Sequence, residues 1–107
     1  MTVAYLRGQV VFADLGHGRK PWLVVSNNQR NASRKGDVVA VRLTTTSRAT
    51  ELPTVVRLSE ADRPFVGSVL CDDPFVIGVD EIDGARGGLP PSTLRAVDAA
   101  LRLALGL

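Results

Sequence analysis

Short apolar runs separated by polar turns follow one another along most of the chain and predict a mainly β protein. Residues 9–14 (QVVFAD) and 19–27 (RKPWLVVSN) form the first two predicted strands, and the turn between them contains two glycines. Pro21 has no backbone N–H and belongs at the first residue or edge of a strand. The third predicted strand, 37–46 (DVVAVRLTTT), has its apolar residues first and its polar residues last. Antiparallel pairing would therefore bring that polar end beside the cationic start of the second strand.

The second half of the chain contains three more apolar runs, at residues 54–58, 66–71 and 75–79. Two aspartates and a proline separate the last two runs, which predict either two strands or one strand broken by a bulge. Residues 80–91 are rich in glycine, aspartate and proline, and this composition predicts irregular structure.

One apolar stripe at helical spacing predicts a helix near the end of the chain. The stripe consists of Leu94, Val97, Leu101 and Ala104. Ser92 is the expected N-cap, and Asp98 is expected to pair with Arg102 one turn further along the outer face. Together the runs predict one domain over residues 1–107, a small barrel-like sheet covered by a C-terminal helix.

Positive charge is concentrated in the first half of the sequence. The net charge is +2, but residues 1–50 carry eight Lys or Arg against Asp14 and Asp37, which leaves the remaining residues acidic overall. Most of the cations are arginines, whose planar guanidinium suits bidentate binding of phosphate. A phosphate-binding surface and an ordinary solvated charged face both explain this asymmetry.

Several classes of protein are disfavoured by the composition. The sequence has no apolar run of the roughly 20 residues that span a bilayer and no secretory signal pattern, so we expect a cytoplasmic protein without a membrane partner. His17 is the only histidine and Cys71 the only cysteine, so neither a metal site nor a bound cofactor is expected. A nucleophilic pair of these two residues is disfavoured because the apolar run around Cys71 should bury the thiol.

The remaining candidate chemistry is a set of cations and hydroxyls at the strand ends, namely Arg19, Lys20, Arg42, Thr44, Thr45 and Thr46. Such a set suits RNA, because the RNA strand supplies its own nucleophile in the 2′-OH. The protein has only to align that group, move protons and stabilise the charge on phosphorus. On this chemistry alone, ordinary exposed strand-end residues are the favoured interpretation, since such residues are common there.

Four segments in a specific order give the chain a wider resemblance. They are RGQVVFADL from Arg7, KPWLVVSN from Lys20, VVAVRLT from Val38 with LPT at 52–54, and VDAALRLALGL from Val97. In these segments the chain resembles the MazF/PemK toxins, the endoribonucleases of type II toxin-antitoxin systems. The resemblance implies a small SH3-like barrel of five to seven strands with a terminal helix, and a homodimer. It also implies metal-independent, sequence-specific cleavage of single-stranded RNA that inhibits translation and growth, and neutralisation by an acidic MazE-like antitoxin.

The resemblance also assigns roles to residues. The catalytic arginine and threonine of the family correspond here to Lys20 and Thr44, and the lysine is a departure that leaves Arg19 as an alternative. RNA-binding roles are implied for Arg19, His17, Arg42, Thr45 and Arg48. A second departure is the short loop at residues 15–19, where the family has a longer segment that contacts RNA and antitoxin. Two alternatives stay open, a gyrase poison of the same fold and a non-catalytic RNA-binding domain.

Overall fold

The computed structural model describes residues 4–46 and 52–107, and in these ranges the chain forms seven strands and two helices. The elements are β1 (Gln9–Asp14), β2 (Arg19–Val24), α1 (Asn28–Asn31), β3 (Asp37–Thr44), β4 (Val55–Arg57), β5 (Ser68–Leu70), β6 (Phe75–Gly78), β7 (Ile82–Gly88) and α2 (Pro91–Leu105). Two 3₁₀ turns, Glu60–Asp62 and Val79–Glu81, precede β5 and β7. The predicted mainly β fold with a C-terminal helix is confirmed.

The strands form an antiparallel sheet in the order β4-β5-β3-β2-β1-β7, and β6 pairs with the first half of β3. The predicted antiparallel pairing of the second and third strands is confirmed, with Trp22 opposite Arg42 and Val24 opposite Ala40. Both strands end earlier than expected, at Val24 and Thr44. The antiparallel pairing of β2 and β3 places the polar start of β2 beside the polar end of β3.

The central strands bury side chains on both faces, because alternate residues point to opposite sides of a sheet. Val10 and Leu23 belong to one apolar cluster, which α2 covers through Val97. Val11 and Trp22 belong to a second cluster on the other face. This double burial explains why β1 and β2 consist of nearly continuous apolar runs.

The prediction of irregular structure for residues 80–91 is wrong. The strand β7 (Ile82–Gly88) pairs with β1 at the edge of the sheet, and Phe12 lies opposite Gly84. Most side chains of β7 are exposed, and its residues are not the apolar ones that a buried strand needs. Pairing with β1 therefore determines the strand conformation of β7, which the amino-acid composition of β7 does not predict.

Two expectations for the helix are also wrong. The helix α2 begins at Pro91 with Pro90 as its N-cap, and Ser92 is already inside it. A proline suits the first helical position because its missing N–H would have no helical partner there. Asp98 pairs with Arg7, whose Nη2 lies 2.6 Å from Oδ1 of the carboxylate. This ion pair fixes the helix to the segment that leads into β1.

No helix in the described residues is both long and apolar enough to cross a membrane.

A buried carboxylate connects the helix to the loop before β5. Asp62 is 3% exposed, and its carboxylate accepts hydrogen bonds from the Thr93 hydroxyl and, at 2.7 Å, from the backbone N–H of Ser59. Asp62 is the last residue of the 3₁₀ turn Glu60–Asp62, and its carbonyl oxygen accepts a hydrogen bond from the N–H of Phe65 at 2.9 Å. Asp62 thus holds the loop that carries Phe65 against the first residues of α2.

Replacing Asp62 by alanine should destabilise the protein by about 2 kcal/mol, because the buried Thr93 hydroxyl and the partly buried N–H of Ser59 lose their acceptor. Urea unfolding followed by circular dichroism measures the change. Glu60→Ala is the matched control in the same turn, since Glu60 pairs only with Arg63 at the exposed surface. That variant should lie within about 0.5 kcal/mol of the wild type. Equal effects of the two substitutions would contradict this role for Asp62.

Candidate active site

A cleft of about 460 Å³ opens between the start of β2 and the end of β3. Its lining combines four cationic side chains, three threonines and a small apolar wall. The lining residues are Phe12, Arg19, Lys20, Pro21, Arg42, Leu43, Thr44, Thr45, Thr46, Pro64, Phe65, Val66 and Arg86. All six strand-end residues singled out from the sequence therefore line one cavity.

The strand register explains why the cleft lies here. Pairing of β2 with β3 stops at Trp22 and Arg42, beside Pro21, which has no N–H to donate. Continued two residues further, the same register would set Lys20 opposite Thr44. Because the ladder does not extend that far, the two side chains face a cavity that the two strands enclose.

Thr44 is fixed by its neighbours. Its Oγ1 accepts a hydrogen bond from the N–H of Thr46 at 3.1 Å, which leaves the hydroxyl proton able to donate into the cleft. On the backbone side, Gly67 of the loop before β5 lies so close that a Cβ there would collide with the Thr44 carbonyl oxygen. Gly67 also has a φ of +99°, which glycine adopts without strain. The position of the Thr44 hydroxyl is therefore well defined.

Arg42 spans two cavities. It lines the cleft and also an adjoining hollow of about 250 Å³ with Thr44, Thr46 and Leu70. Its Nε is buried and has no hydrogen-bond partner among the described residues. No carboxylate in those residues pairs with the guanidinium, so its positive charge is available to a ligand.

Arg19 is in a different state from Lys20. Its Nε donates to Oδ1 of Asp83 at 2.7 Å, and its guanidinium carbon lies 4.2 Å from the centre of the Phe12 ring. The carboxylate compensates its charge. Lys20 has no ion-pair partner in the described part of the chain, so the two adjacent cations differ in how far their charge is available to a ligand.

Arg86 is a cleft residue that the sequence reasoning missed. It lies on β7, and it reaches the cleft because β7 pairs with β1 beside β2. The surrounding letters, GARGG, predict a loop rather than a strand, so no local signal in the sequence indicates this position.

One implied RNA-binding residue in the described part of the chain is not brought into the cleft. His17 is exposed in the turn between β1 and β2, where the N–H groups of Gly16 and Gly18 donate to the Asp14 carboxylate, and it is not among the cleft-lining residues. Arg48 lies outside the described residues. Thr45 does line the cleft and is exposed there.

Cys71 belongs to the buried apolar cluster beneath α2. Burial, with a smaller contribution from the charge of Asp72, raises the pKa of the thiol to about 12. The thiol therefore stays protonated at neutral pH and is not a nucleophile. In residues 4–46 and 52–107, no group of three or more His, Cys, Asp and Glu side chains is arranged to hold a metal ion.

A third hollow, of about 610 Å³, lies at the end of α2 away from the cleft. Its lining is mainly apolar and includes Val25, Val39, Pro74, Leu101 and Leu105. The arginines at its border are already paired, Arg7 with Asp98 and Arg30 with Asp37. This hollow therefore has little uncompensated charge, in contrast to the cleft.

Comparison with known proteins gives consistent matches over nearly the whole chain. The sequence profile of the PemK-like, MazF-like toxins of type II toxin-antitoxin systems matches residues 6–105. Endoribonuclease MazF4 of Mycobacterium tuberculosis is 49% identical over 104 residues, which cover 97% of this chain and 95% of that protein.

Solved structures agree with the sequence match. An endoribonuclease in complex with its cognate antitoxin, from a mycobacterial species, superposes with a TM-score of 0.89 at 49% identity and covers 97% of each chain. The MazE–MazF complex of Deinococcus radiodurans (Form-II) superposes with a TM-score of 0.81 at 25% identity and covers 99% of each chain.

Proposed function

The chain belongs to the PemK-like, MazF-like toxins of type II toxin-antitoxin systems, and we propose that it is an endoribonuclease that cuts single-stranded RNA in the cleft between β2 and β3. The observation that carries this assignment is the meeting of Lys20 and Thr44, from two different strands, in one cavity with Arg42 and Arg86, which form no ion pairs with the other described residues. The protein would encounter RNA in the cytoplasm, where cleavage of that RNA would stop translation and growth.

The proposed reaction is an in-line transfer within the RNA. The 2′ oxygen attacks the adjacent phosphorus, the bond from phosphorus to the 5′ oxygen breaks, and the products carry 2′,3′-cyclic phosphate and 5′-OH ends. One proton leaves the 2′-OH and one is gained by the departing 5′ oxygen. The protein has to align the groups, accept and supply protons and stabilise the phosphorane charge. Lysine, arginine and hydroxyl side chains can do this without a metal ion.

The arrangement of the cleft suggests a role for each residue. Lys20 is half-buried beside the reacting position and would accept the 2′-OH proton or neutralise the phosphate. The Thr44 hydroxyl would donate a hydrogen bond to a non-bridging phosphate oxygen. Arg42 and Arg86, which border the cleft from β3 and β7, would bind phosphates of the RNA backbone. We keep Thr45 as a further RNA contact, and Arg48 and His17 as untested ones.

The uncompensated charge of the cleft also suggests how an antitoxin would act. In the described residues, Lys20, Arg42 and Arg86 form no ion pairs, so an acidic segment of a MazE-like antitoxin could occupy the cleft in place of RNA. Such binding would weaken as salt rises, because exposed charges are screened.

The apolar hollow at the end of α2 suits a second copy of the chain. Val76, which is 60% exposed, lies opposite Val39 and extends the apolar surface around Leu101 and Leu105. Because the bordering arginines are already paired with carboxylates, this surface does not favour an acidic partner. We propose that it forms the homodimer interface.

The first prediction concerns the Thr44 hydroxyl. Thr44→Ala should lower the cleavage rate about tenfold to a thousandfold, the usual cost of losing one hydrogen bond to the transition state. Thr44→Ser keeps the hydroxyl and should retain most of the activity. The measurement uses a mixed RNA pool in EDTA, with sequencing of the new ends. Full activity of Thr44→Ala would contradict this role for the Thr44 hydroxyl. If the wild type binds RNA but does not cleave it, the protein is a non-catalytic RNA-binding domain.

The second prediction separates proton transfer from charge at Lys20. Arginine stays protonated over the whole working pH range, so Lys20→Arg keeps the charge and removes a group that can accept a proton. If Lys20 is the general base, the two proteins should differ in the shape of their pH–rate profiles. Superimposable profiles would mean that Lys20 contributes only positive charge.

The third prediction tests the dimer surface. Leu105→Asp should convert the dimer to a monomer, because it places a charge in the apolar hollow. Leu103→Asp is the matched control, since Leu103 is similarly exposed on the same helix but lies on the opposite side from Leu101 and Leu105. Sedimentation analysis should show a monomer only for the first variant. A wild-type monomer, or dissociation by both variants, would contradict this interface.

A further inference from the structure

The Arg19 side chain lies across three strands in one fixed plane. It starts on β2, passes over Phe12 of β1 and reaches β7, where its Nε donates to Asp83. Gly84 makes room for it, because a Cβ at that position would lie 2.9 Å from Nη2 of the arginine. A long, flexible side chain therefore has contacts with a carboxylate and an aromatic ring before any ligand binds.

This arrangement suits a nucleobase better than a phosphate. The Asp83 carboxylate already compensates the positive charge of Arg19, and an additional anion would compete with it. The flat surface is still accessible, since the side chain is 52% exposed and borders the same cleft as Lys20 and Thr44. Bases in single-stranded RNA stack on aromatic rings and on arginine guanidinium planes.

We propose that Arg19, supported by Phe12, is the platform on which one base next to the scissile phosphate stacks. Arg19 would then favour a purine at that nucleotide, because a purine stacks more strongly than a pyrimidine, and Arg19 would not be a second catalytic cation. The inference deepens the proposed function and depends on RNA entering the cleft. Its chemical basis is that the contacts with Asp83 and the Phe12 ring preorganise the arginine, so stacking costs less conformational entropy than on a free side chain.

The test compares two matched substitutions, Arg19→Lys and Arg86→Lys. Each keeps a positive charge at the border of the cleft and removes a guanidinium plane, but only Arg19 is supported by a ring. The proteins cleave a randomised RNA pool, and sequencing of the ends gives the preference at each nucleotide around the cut. Arg19→Lys should reduce the preference for a purine at one flanking nucleotide several-fold and leave the preferences at the other positions unchanged.

Arg86→Lys should keep the wild-type preference at every position, whatever its overall rate. Two results would overturn the proposal while the nuclease assignment stands. One is a wild-type preference profile for Arg19→Lys. The other is an equal loss of base preference at every nucleotide position in Arg19→Lys. Thermal unfolding of both variants shows whether the fold is retained, as expected for substitutions at the surface.

A second measurement does not depend on cleavage. A fully 2′-O-methylated oligouridine with a single 2-aminopurine cannot be cut, and its fluorescence falls when the purine stacks. At protein concentrations that saturate the probe, wild type and Arg86→Lys should quench it, and Arg19→Lys should quench it several-fold less. If the wild type quenches the probe but cleaves no RNA, the platform stands and the nuclease assignment fails. Equal quenching by all three proteins would overturn the platform.

Discussion

The register between β2 and β3 is the constraint on which the candidate site depends. It sets Trp22 opposite Arg42 and ends beside Pro21, so the last residues of β3 and the first residues of β2 meet without further pairing. The cleft occupies the space that the missing ladder leaves. A shift of the β2–β3 pairing register by one residue would turn Lys20 or Thr44 to the other face of the sheet, because side chains alternate along a strand. Buried residues on both faces of β2 prevent such a shift.

Four of the arginines fall into two groups. Arg7 and Arg30 form partly buried ion pairs that attach α2 and α1 to the strands, and their charge is used within the fold. Arg42 and Arg86 have no such partners in the described residues and border the cleft. Net charge alone would not distinguish these groups. The distinction indicates which part of the basic surface is open to an anionic ligand and which part stabilises the protein.

The sequence predicted the parts of this structure that depend on local pattern. Apolar runs located β1, β2 and β3, and their polar ends predicted which residues share a cavity. The parts it missed depend on distant partners. The strand β7 forms because β1 offers it an edge, and Asp98 pairs with Arg7, which is far away in the sequence, rather than with the neighbour that helical spacing suggests. Arg86 was missed together with its strand.

Gly67 connects the fold to the candidate chemistry. It has no side chain, yet it sets how closely the loop before β5 approaches the end of β3, and so where the Thr44 hydroxyl lies. Its positive φ adds a second reason why other residues are disfavoured. Substitution there would displace the end of β3 without removing any reactive group. A variant at this position could therefore fold and bind RNA and still hold the Thr44 hydroxyl in the wrong place for cleavage. Loss of activity alone therefore does not identify a residue that contacts the substrate.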